Sequence, residues 1–110
     1  MEEIIIYSEK FNQSLEELVE VLFTKEYFGF RIDCELYADR IYDFVDFNVN
    51  KPISRNTPDK FQKYGRKFLK YKANNNTSWY IFFDQKGGQF LINYIINNHS
   101  HEFPDLIDLI

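Results

Sequence analysis

Cysteine is almost missing from this chain: there is one, Cys34, in 110 residues. A single thiol makes no internal disulfide, and without several His or Asp partners it makes no structural zinc site. A reducing compartment is therefore the expected home. No apolar run approaches the roughly 18 residues that a membrane helix needs. The opening Met1-Glu2-Glu3 is acidic where a secretory signal would be basic. These absences point to a soluble, cytoplasmic protein that meets no membrane. Gly87-Gly88 precedes neither a helix nor a Lys-Ser/Thr pair, so it reads as a turn and not as a phosphate cradle. The spacing of His99, His101 and Glu102 matches no strong metal-ligand motif. Nothing in the sequence calls for a cofactor.

Rings and unevenly placed charge are what the chain does have. Twelve Phe and eight Tyr suggest a core filled by aromatic side chains, with some rings left for a binding surface. At 45% apolar residues, there is enough for a real core in one domain spanning 1–110. The net charge of −4 hides a strong asymmetry. Residues 1–50 hold 4 Lys/Arg and 12 Asp/Glu, residues 51–72 hold 8 and 1, and residues 73–110 hold 1 and 4. One segment is thus strongly basic inside an acidic chain, and the partners are to be judged from it.

Ile4 to Tyr7 reads as a strand. Ser8 is placed to cap a helix, with Glu9 in the first turn where the helix dipole favours an acid. Phe11, Leu15, Leu18 and Leu22 then recur as one amphipathic face, ending near Lys25. After a break around Gly29, Cys34, Ala38, Ile41 and Val45 line a second helical stripe flanked by Tyr37 and Phe44. The two helices are expected to form an antiparallel hairpin on a sheet, with Cys34 an inert buried thiol. Residues 48–58, with Pro52 and Pro58, read as a loop. Strands are expected at about Arg66–Lys72, Trp79–Gln85 and Phe90–Asn97, the last two joined at Lys86-Gly87-Gly88 by a tight turn. Trp79, Tyr80, Phe82 and Phe83 read as packing residues. The tail from Glu102 to Ile110 suits one helical turn or a short extension. The expected fold is α+β: a strand, a helical hairpin, then a three-stranded antiparallel meander, with the first strand in the same sheet.

That order resembles the RelE/ParE superfamily of toxins. Ile5-Ile6-Tyr7-Ser8-Glu9-Lys10-Phe11 is similar to the family's opening strand and the helix after it. Residues 64–71, from Tyr64 to Tyr71, resemble its second strand, and residues 77–83 its third. Phe90 to His99 resembles its last strand, with a His at the strand end. The resemblance implies the toxin of a type II toxin–antitoxin module, restrained by a cognate antitoxin. The RelE branch cuts messenger RNA on the ribosome; the ParE branch poisons DNA gyrase without being an enzyme. The ribonuclease branch usually carries an Arg on the late strands and a Tyr or Lys near the end of the chain. Here no Lys or Arg follows Lys86, and Phe103 stands where that Tyr would be expected. A degenerate toxin fold that serves only as a binding partner is a further reading.

Lys60, Lys63, Arg66, Lys67, Lys70 and Lys72 interleave with Phe61, Tyr64, Phe68 and Tyr71. Cations neutralise phosphates, and rings stack on unpaired bases. Alternation along a strand puts Arg66, Lys70 and Lys72 on one face with Phe68. That face suits RNA on the ribosome, an acidic antitoxin, or a solvated edge that discourages aggregation. RNA cleavage by 2′-OH attack needs a base, an acid and a cation for the phosphate. His99 suits either proton role, and Arg66 or Lys70 the cation. The catalytic candidates are therefore Arg66, Lys70 and His99, with Lys60, Lys63, Lys67, Lys72 and Tyr71 binding RNA or antitoxin. The alternative for His99 and His101 is a purely structural bond at the strand end.

Overall fold

A computed structural model of the protein describes residues 3–24 and 34–99. Their elements are β1 (Ile4–Tyr7), α1 (Glu9–Thr24), α2 (Cys34–Asn48), β2 (Arg55–Asn56), a short 3-10 turn (Asp59–Phe61), β3 (Lys67–Lys72), β4 (Ser78–Lys86) and β5 (Gln89–Asn97). The break around Gly29, the tail from Glu102, His101 and Phe103 fall outside the described residues, as do the side chains of Leu22 and Cys34.

Ser8 starts α1 as expected. Its Oγ accepts the Phe11 N–H at 3.0 Å and donates to the Asn93 carbonyl at 2.9 Å. One hydroxyl thus caps the helix and fastens it to β5. The two helices run antiparallel: near the start of α1 the Tyr42 hydroxyl donates to Asn12 Oδ1, and just before it Tyr7 reaches Asp46 further along α2. Phe11, Leu15 and Val19 of α1 join Tyr37, Ile41, Val45 and Val49 in the core. Val19 takes the fully buried place expected for Leu18, which packs only partly buried against the cluster. At about 100° per residue, Val19 stays within about 40° of Leu15 around the helix, whereas Leu18 swings about 60° the other way.

The domain is α+β, but its sheet corrects the expected three- or four-stranded antiparallel arrangement. It has five strands in the order β1-β5-β4-β3-β2. β1 lies parallel to β5, with Ile4 opposite Gln89 and Tyr7 opposite Ile92. The helical layer provides the long crossing that parallel neighbours require. The loop over residues 48–58 contributes a further strand, β2, of two residues paired with β3. The three later strands fall within a residue or so of their expected bounds. The β4–β5 turn is closed by Gly87 at φ +60°.

The sheet is apolar on both faces, which explains the abundance of rings. Leu69, Trp79, Ile81, Phe83, Phe90, Ile92 and Ile95 meet the helices. On the opposite face Phe61, Phe68, Tyr80, Phe82 and Ile96 form a second buried cluster, with Tyr64 and Tyr94 against it. The segment 57–65 folds over this face. Phe61 stacks on Phe82 at 6.1 Å, and Tyr64 on Tyr94 at 4.2 Å.

Candidate functional site

β3 carries the basic segment between β2 and β4, and alternation sorts its side chains. Leu69 and Tyr71 pack on the helix side, with the Tyr71 ring 4.7 Å from that of Phe44. Phe68 sinks into the opposite cluster, and Lys70 and Lys72, which share its face, stay exposed. Lys67 has the parity of Leu69 and is half-buried, so it is separated from Lys70 and Lys72 by the sheet itself. The interleaved rings are therefore largely spent on packing: Phe61 and Phe68 are buried, and Tyr71 faces away from the exposed cations.

Arg55 on β2 lies opposite Phe68, and Lys70 lies opposite Tyr80. The Lys70 ammonium is 6.0 Å from the centre of the Tyr80 ring. Burial raises the Tyr80 pKa, and the nearby Arg55 charge partly offsets that rise. Together with Lys72, opposite Ser78, these residues give the face away from the helices a row of cations. Arg55 and Tyr80 were not among the candidate site residues read from sequence. Arg55 sits in a strand too short to show a period, and Tyr80 reads correctly as a packing residue until register sets it between cations.

Arg66 lies just before β3. Its N–H donates to Asp84 Oδ1 at 3.0 Å, and its carbonyl accepts the Thr57 N–H at 2.9 Å. Asp84 Oδ2 also accepts from Nδ2 of Asn93, the extra residue of β5 where Phe82 pairs with Tyr94 and Phe83 with Ile92. His99 follows the other end of β5. Its Nε2 is 3.1 Å from Thr77 Oγ1, and its N–H donates to Asn97 Oδ1. The ladder from Lys67–Phe83 to Lys72–Ser78 separates the two ends. At about 3.3 Å per residue, Arg66 and His99 stand roughly 20 Å apart along the strands. Arg66, Lys70 and His99 span the sheet and do not converge on one phosphate.

Lys60, on the 3-10 turn, and Lys63 are exposed. Lys63 and Lys10 each place an ammonium 5.1 Å from a ring centre, over Tyr64 and Tyr94 respectively. They border a cavity of about 380 Å³ with Ser8 and Asn93. A second cavity, about 590 Å³ between α1 and α2, is rimmed by Glu16, Glu20 and Asp39. Its charge is the wrong sign for a polyanion. No described helix is long and apolar enough to cross a membrane.

No protein-family model, curated protein or solved structure gives a match to the chain.

Proposed function

We propose that the protein is the toxin of a type II toxin–antitoxin module, acting on translation through ribosome-dependent cleavage of messenger RNA. The supporting observation is the row of Arg55, Lys70 and Lys72 on the face away from the acidic helices. A fixed row of cations holds a phosphate backbone and stabilises charge that builds on a phosphate under attack. The same row is what an acidic antitoxin would have to cover. In this reading Lys70 and Arg66 contribute more than His99, because they supply both binding and charge stabilisation.

The roughly 20 Å between Arg66 and His99 favours a second reading, a non-enzymatic inhibitor of DNA gyrase that uses the basic face as a protein interface. Inducing the protein alone separates the two. Under the first, messenger RNA is cut in growing cells, and Arg66→Ala or Lys70→Ala lowers cutting by on the order of 10²–10³. Growth arrest with intact messenger RNA and relaxed or broken DNA would replace it with the second. Induction with no effect on growth would remove both and leave a binding partner without toxicity.

A further inference from the structure

Among the described residues β1 and β2 are the two edges of the sheet, and they are guarded differently. β2 is two residues long and carries the exposed Arg55, and both shortness and charge discourage further pairing. β1 is Ile-Ile-Ile-Tyr, with no charge and no proline. Ile4 and Ile6 are 47% and 45% exposed, and Leu91, paired with Ile6, is 42% exposed. These three apolar side chains lie together on the face away from the helices.

Hydrogen-bond parity makes this edge usable. The Ile4 N–H donates to the Gly88 carbonyl and the Ser8 N–H to that of Ile92, so the even-numbered residues point at β5. The N–H and C=O groups of Ile5 and Tyr7 then point outward, in the pattern an added strand needs. On the helix side, the same edge is acidic. Glu3 accepts from the Asn50 amide, Asp46 accepts from the Tyr7 hydroxyl, and the Asp43 charge is felt by Tyr7 as well.

We propose that β1 is a docking edge for an extended segment of a partner protein, in which apolar and basic residues alternate. Its apolar side chains cover Ile4, Ile6 and Leu91, and its basic ones meet Glu3, Asp43 and Asp46. Backbone bonds supply affinity and the alternation supplies selection. A second copy of this chain fits less well. An antiparallel two-fold pairing through the outward groups of Ile5 puts Glu3 opposite Tyr7 of the other copy, and so acid beside Asp46. The inference does not rest on the toxin reading, and its test involves no toxicity.

The test is titration of the full chain, followed by amide NMR, with a short synthetic peptide of alternating valine and lysine. A valine–glutamate peptide is the comparison. The expected result is selective shifts over Glu3–Tyr7, slowed exchange at the Ile5 and Tyr7 amides, and at least about tenfold weaker binding of the glutamate peptide. Ile4→Lys/Ile6→Lys should lose binding. If that variant does not fold, Glu3→Lys/Asp43→Lys, which leaves the apolar patch intact, should reverse the preference between peptides. Equal affinity for both peptides, or shifts confined to other strands, would overturn the proposal. So would doubling of the molecular mass of the protein alone through β1, which would assign the edge to a second copy.

Discussion

The indole N–H of Trp79 donates to the hydroxyl of Tyr37 across 3.0 Å, with both side chains buried between α2 and the sheet. Tyr37→Phe keeps the ring and removes this acceptor. A buried donor left without its partner costs about 1–3 kcal/mol, so the urea midpoint should fall with the slope unchanged. An unchanged midpoint would mean that the indole is satisfied without Tyr37.

Gly65 has a φ of +154°, and a Cβ there would lie 2.7 Å from the Phe83 nitrogen. Backbone cannot give way as a flexible side chain can. Gly65→Ala should therefore cost at least the roughly 1–3 kcal/mol of an overpacked site and loosen segment 57–65 from the sheet. Gly87, at φ +60°, has open space around it. Gly87→Ala should cost only the left-handed backbone term, about 1–2 kcal/mol. Chemical denaturation of the two variants checks the order.

Leu15 and Leu18 test where the core of α1 lies. Leu15 is fully buried and Leu18 only partly so. Leu15→Ala should cost about 2–5 kcal/mol, and Leu18→Ala distinctly less. Equal losses in thermal unfolding would place the helix face midway between the two residues.

Tyr7 should make the fold sensitive to alkali. Burial, then the hydrogen bond to Asp46, then the carboxylate charges around it all raise its pKa in the folded state. Below the ordinary tyrosine value of about 10, both folded and unfolded chains keep the phenol neutral. Above it, the unfolded chain ionises first, so stability falls as pH rises. Tyr37, Tyr42 and Tyr80 are shifted in the same direction. Tyr7→Phe should flatten the fall between about pH 10 and 12, measured as melting temperature against pH.

Under the proposed toxin reading, association with an antitoxin should slow as salt rises if the Arg55, Lys70 and Lys72 face steers it. The screening length shrinks from about 10 Å at 0.1 M to about 3 Å at 1 M. Lys70→Glu/Lys72→Glu should lower the association rate at low salt and weaken its salt dependence. A salt-independent rate in stopped-flow mixing would place the antitoxin elsewhere on the surface.

Much of the architecture was legible because the relevant signals are local. Ser8 followed by a spaced apolar face marks α1, and the Lys86-Gly87-Gly88 turn marks the last hairpin. β2 was not legible, because two residues carry no period. The parallel partner of β1 was not either, since that choice depends on how the helices return the chain and not on any residue within Ile4–Tyr7. For the candidate site, alternation correctly put Lys70 and Lys72 beside Phe68. The distance between Arg66 and His99 is a matter of register, set by how many rungs separate Asp84 from Thr77, and neither residue's own neighbourhood reveals it. The rings of Phe61 and Tyr64 read as free to stack on bases because nothing in their spacing shows that segment 57–65 folds back onto the sheet.

The parallel pairing of β1 with Gln89–Ile92 also governs when the sheet can close. β1 leaves the ribosome well before β5, its ladder partner. The helices, β3 and β4 all precede β5 in the chain, so they leave the ribosome before β1 can gain its neighbour. A nascent or prematurely ended chain lacking β5 cannot close its sheet, because the strand joining β1 to β4 is absent. Contacts so distant in sequence make folding slow relative to local pairing, and they tie closure of the sheet to the arrival of β5.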